Sequence, residues 1–71
     1  MLAGKRFRLV ENTLASEVVD GRRISICIPT GTIITVVSDP TDSGFVDVLW
    51  ESRPVAMFRF DVQQVGEEIS D

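Results

Sequence analysis

A serine or cysteine nucleophile needs a neighbouring base, most often an imidazole, and this chain contains no histidine. Neither Ser-x-x-Lys nor Gly-x-Ser-x-Gly, which would supply another base or an exposed nucleophile, occurs in it. Lys5 is the sole lysine, so a Schiff-base amine and a phosphate-loop lysine would both have to be that residue. The residues before it, Met-Leu-Ala-Gly, are no glycine-rich phosphate loop. Asp39, Asp42 and Gly44 share one polar stretch, but the Asp-x-Asp-x-Asp-Gly spacing that wraps oxygens around calcium is absent, and turn formation accounts for them. Cys27 alternates with isoleucines. A reactive thiol there would need a cation to lower its pKa, and the ordinary reading is a half-covered cysteine packing as a small hydrophobe. One cysteine and no histidine also leave the usual metal-ligand sets unfilled. These residues predict no catalytic group, no metal, no cofactor and no small-molecule substrate.

What remains is surface. The formal charge of −4 hides an asymmetry: five basic residues against three acidic ones through Ser38, then two basic against eight acidic, so the halves carry +2 and −6. The halves are set to attract each other, within one molecule or between two. The basic set Lys5, Arg6, Arg8, Arg22 and Arg23, with Phe7 among it, is a candidate for phosphate backbones. The acidic total and the lack of tyrosines for base stacking weigh against that use. Phe45 and Trp50 complete the candidate binding residues; for Trp50 and Met57 the competing reading is packing on an alternating inner face.

The elements that must position these residues are strands. Valine, isoleucine and threonine make up 21 of the 71 residues, and no stretch repeats apolar residues at helical spacing for three turns. Residues 5–10 form a first strand with Phe7 and Leu9 (or Val10) inward and Arg6 and Arg8 on the opposite face. Residues 14–19 and 22–28 flank Asp20-Gly21, the dipeptide a type I′ hairpin asks for because both central residues need positive φ. Ile24, Ile26 and Ile28 alternate with Arg23, Ser25 and Cys27 and are assigned to the core. Pro29-Thr30-Gly31 turns the chain into a strand over 32–37 that is apolar on both faces. Residues 38–44 are a polar loop. In 45–50 the alternation favours Val46, Val48 and Trp50 as the inner set; 51–53 turn, and 54–60 pair back. A short helical turn follows over 61–65, with Asp61 as N-cap and Gly66 as its end, before an acidic tail over 67–71.

Hairpin, bent strand, polar loop, long hairpin and one late helical turn, in that order over about residues 5–66, resemble the SH3-like barrel superfamily. Gly31-Thr32-Ile33-Ile34-Thr35-Val36-Val37 looks like its Gly-x-x-hydrophobic-x-hydrophobic strand, and 58–65 looks like its terminal 3₁₀ turn. Val46-Asp47-Val48-Leu49-Trp50 and Ala56-Met57-Phe58 with Asp61 are similar to small bacterial proteins of this type. The resemblance implies an all-β fold, a small antiparallel barrel of five to six strands with one short 3₁₀ turn near the C-terminus. It implies no activity. The proline-rich ligand of peptide-binding SH3 domains is not carried over: their groove is lined by tyrosines, which this chain lacks, and Phe45 stands where their binding tryptophan opens the strand after the acidic loop.

At this length the chain is one domain, 1–71, and buries only about 60% of its unfolded surface, so its margin of stability is thin and self-association is a natural remedy. The expectation is a non-enzymatic protein–protein interaction module whose partner is another protein or a second copy; weak nucleic-acid binding through the basic half is the alternative. Charge precedes any long apolar run at the start, and the single cysteine suits a reducing compartment, so no membrane is expected and the cytoplasm is the expected location.

Overall fold

A computed structural model describes residues 2–39 and 42–69. Pro40 and Thr41 of the polar loop, and Ser70 and Asp71 of the acidic tail, lie outside the described residues. Seven strands and one helix are formed among the described residues: β1 (Arg6–Leu9), β2 (Thr13–Val19), β3 (Arg22–Ile28), β4 (Ile33–Val36), β5 (Phe45–Trp50), β6 (Arg53–Phe58), α1 (Arg59–Val65) and β7 (Gly66–Ile69). The pairings are all antiparallel and give one ladder in the order β3-β2-β6-β5-β4-β1-β7. The ladder does not close into a barrel; β3 and β7 are its two ends. It is nevertheless strongly curled. A flat ladder of seven strands would be about 29 Å wide and one strand thick, whereas the molecule measures 35 × 25 × 20 Å and encloses side chains completely.

The period-2 alternation decides which side chains go inside. Phe7 and Leu9 of β1, Ile34 and Val36 of β4, Val46 and Val48 of β5, and Val55 and Met57 of β6 are all buried in one cluster with Ala15, Ile28 and Val62. Thr13 is the one buried polar residue among the described residues, and its hydroxyl donates to the carbonyl of Glu11 at 3.0 Å. The two faces of β4 separate: Ile34 and Val36 are buried, whereas Ile33, and Val37 just after the strand, are exposed.

Five expectations change. Cys27, read as half-covered, is exposed. The row of isoleucines on β3 grades from fully buried Ile28 through half-buried Ile26 to Ile24, which is 41% exposed and outside the core because β3 is an end strand that runs beyond its cover. The late turn is a seven-residue α-helix, not a 3₁₀ turn, and begins at Arg59 with Phe58 at its N-cap and no side-chain cap bond; Asp61 sits inside its first turn. Residues 67–69 are not an unpaired acidic tail but part of β7, paired with β1 so that Arg8 faces Glu67 and Phe7 faces Glu68. The strand count is seven, not five to six, and the ladder is open.

Gly66 permits the abrupt passage from α1 into β7. A Cβ there would run into the Val62 carbonyl oxygen and lie 3.2 Å from two carbons of Phe7, so the close approach of helix, β1 and β7 requires a hydrogen at that place. No helix among the described residues is long and apolar enough to cross a membrane.

Candidate functional site

The two long hairpins meet at one point. β2 pairs with β6 only through Ser16 and Ala56, so on either side of that bridge the hairpins β2–β3 and β5–β6 diverge and leave a groove on the outer face of the sheet. The groove has a volume of about 250 Å³ between Leu14, Ser16, Arg23 and Ser25 on one wall and Phe45 and Phe58 on the other, with Ala56 as its floor. It continues past Asp47 and Ser43 at the loop end.

Register builds the aromatic wall. The turn at Glu51-Ser52 pairs Trp50 with Arg53, and counting back along both strands sets Phe45 opposite Phe58. Their rings stack with centroids 4.4 Å apart and planes 25° from parallel. The ladder continues one bond further, from the Arg59 N–H to the Gly44 carbonyl at 2.8 Å, which fixes the pair at the groove mouth. Phe58 is 51% exposed and Leu14, across the groove, 67%. Apolar surface of this kind, gathered in a concavity, is what partner sites expose.

The opposite wall is polar apart from Leu14. Arg23 reaches back across the hairpin, and its Nη1 donates to Ser16 Oγ at 2.5 Å, which orients the guanidinium along the groove. Asp47, on the far side, accepts from the Ser38 hydroxyl at 3.2 Å. Four donor hydrogens of the Arg23 guanidinium remain after the serine bond. The groove therefore offers an aromatic platform, an oriented cation and a carboxylate.

The basic residues singled out from the sequence do not gather at one place. Lys5, Arg6 and Arg8 belong to β1 and its approach, and four strands separate β1 from β3, which carries Arg22 and Arg23. Lys5 Nζ lies 3.4 Å from Glu68 and Arg8 Nη1 3.9 Å from Glu67, both pairs exposed. Phe7, placed among those charges by sequence, is a core residue. Phe45 joins Arg23 in the groove. Trp50 is half-buried against the core on the inner face, where Arg53 stacks on its ring at 4.6 Å and also grips Glu17. Phe58, Leu14 and Ser16 were not singled out. Phe58 is set opposite Phe45 by the two-residue turn at Glu51-Ser52, whose register those two residue types do not announce.

No family model, no curated protein and no solved structure matches this chain.

Proposed function

We propose that this chain is a non-enzymatic interaction module of SH3-like topology that binds an extended segment of a partner protein in the groove between its two long hairpins. The observation that carries the reading is the groove itself, with the Phe45–Phe58 stack on one wall and, on the other, Leu14 beside an Arg23 held in place by Ser16. The topology is supported by the strand order: β7-β1-β4-β5-β6 run consecutively in the ladder, and the β2–β3 hairpin lies against β6. Phe45 occupies the place at which peptide-binding members of that superfamily carry their tryptophan. The segment that fits has an apolar or aromatic side chain for the stack and a carboxylate for Arg23, because a guanidinium oriented by a neutral hydroxyl still has free donors for a bidentate acid. Extended peptides bring both groups at fixed spacing, and a few buried aromatic and arginine contacts carry most of the energy of such interfaces.

Selection from a displayed library of random peptides tests this. The enriched sequences share an apolar residue and an Asp or Glu at constant spacing, and Phe58→Ser and Arg23→Glu each weaken their binding at least about tenfold, the loss of roughly 1.4 kcal/mol expected for one hot-spot contact. Enrichment without that pattern, or binding indifferent to both substitutions, overturns the reading. An oligonucleotide titration run beside it addresses the basic half: phosphate contacts would weaken linearly with log salt and fail on reversal of Arg22 and Arg23.

A further inference from the structure

The two ends of the ladder are built differently. β7 has four residues, two of them glutamates, and such short, charged edges resist pairing with another chain. β3 has seven residues, and after Arg22 and Arg23 it continues Ile24-Ser25-Ile26-Cys27-Ile28 without a charge, proline or glycine. Nothing in that run discourages a further strand.

The direction of its free backbone groups follows from the register. In an antiparallel pair, opposed residues alternate between exchanging both hydrogen bonds and exchanging none. Ser16 turns its backbone groups towards Ala56 of β6, so Ser25, which faces Ser16, turns its own away from β2. The same holds for Arg23 and Cys27, two positions either side. The free edge of β3 therefore presents the N–H and C=O of Arg23, Ser25 and Cys27.

We propose that a second copy of this chain pairs antiparallel along β3, with Ser25 of both copies at the two-fold axis, to make one continuous sheet. Self-complementarity selects the occupant and the register. Centred on Ser25, Ile24 of each copy lies opposite Ile26 of the other, and Arg23 lies opposite Cys27, so the exposed end of one isoleucine row is covered by the other copy. Each Arg23 then stands four residues, about 13 Å, along the strand from its counterpart. Centring on Arg23 would set like charges face to face, which is destabilising. Centring on Cys27 would bring Ser25 against Pro29, which has no N–H to give. Ser25 is the one outward-facing centre that uses the strand without either penalty. The pairing uses the backbone edge rather than the groove, so it stands or falls separately from the peptide reading.

Size-exclusion chromatography with light scattering over a concentration series tests it. The mass of the wild-type chain is expected to climb from 7.9 kDa towards twice that value. Ser25→Pro removes the outward N–H without taking a donor from the β2–β3 ladder, and is expected to stay monomeric. Far-UV circular dichroism and Trp50 fluorescence report whether it has folded; if it has not, Ile24→Lys, a charge on the same edge, gives the same reading. A nitroxide on Cys27, the only cysteine, reads the register: with Ser25 on the axis the two Cα atoms are about 15 Å apart. Phe58→Ser serves as the control that keeps the dimer while losing peptide. A wild-type chain that remains at 7.9 kDa at millimolar concentration overturns the proposal. So does a folded edge variant that dimerises like wild type, or a dimer whose labels lie beyond about 25 Å, farther than adjoining strands at this register allow.

Discussion

Arg53 does three things at once. Its Nε and Nη2 hold the two oxygens of Glu17 at 3.0 and 2.6 Å, and its guanidinium lies 4.6 Å over Trp50, so one side chain ties the β2–β3 hairpin to the β5–β6 hairpin. A bidentate arginine–carboxylate pair of this geometry is stronger than an ordinary surface ion pair. The hydrogen bonds from Arg53, aided by its charge and opposed by partial burial, hold the Glu17 carboxyl below its ordinary 4.5, and the same bonds raise Arg53. A carboxyl whose folded pKa is depressed contributes stability that is complete above its ordinary value and is lost as pH falls through the folded one. Glu17→Gln is therefore expected to lower the urea midpoint near neutral pH, and the gap to wild type to close as pH drops below 4.5. A gap that stays constant through that range would show that the ionised carboxylate is not what matters. None of this was legible in the sequence, because the partners are 36 residues apart and neither belongs to a motif.

At the scale of elements, legibility followed local chemistry. The hairpin at Asp20-Gly21 was readable because both residues adopt positive φ, 51° and 78°, and that dipeptide tolerates it. The β5–β6 turn makes the same demand of Glu51 and Ser52, at 50° and 69°, with residues that bear it badly. The sequence showed a turn over 51–53 but not its register, and so not the Phe45–Phe58 wall that the register builds. Replacing the pair with Asn-Gly (Glu51→Asn, Ser52→Gly) is expected to stabilise the fold by about 1 kcal/mol and to raise Tm by roughly 4–8 °C. An unchanged or lower Tm in a calorimetric scan would mean that Glu51 or Ser52 makes a compensating contact. β7 escaped sequence reading for another reason. Gly66-Glu67-Glu68-Ile69 has one apolar side chain, and what makes it a strand is the edge of β1 waiting for it, with Arg8 and Lys5 to meet its glutamates. Tertiary pairing, not propensity, decides such a segment.

For the molecule as a whole, the first and last strands are neighbours: β1 lies between β4 and β7, and α1 drops Val62 into the core just before the chain returns. The all-β class was legible from alternation, but the open ladder was not, since closure depends on whether the end strands meet and no local pattern records that. This arrangement makes Gly66–Ile69 part of the fold. Deleting residues 66–71 removes the β1–β7 ladder, bares the edge of β1 and uncovers the side of Phe7 that packs on Gly66. In a domain of this size, where roughly 5–15 kcal/mol is the whole margin, that loss is expected to abolish cooperative unfolding. Trp50 emission and far-UV circular dichroism followed through a thermal ramp report it. A truncated chain that still melts in one sharp transition within a few degrees of the full chain would place β7 outside the cooperative unit and make β1 a true edge, open to the same strand pairing as β3.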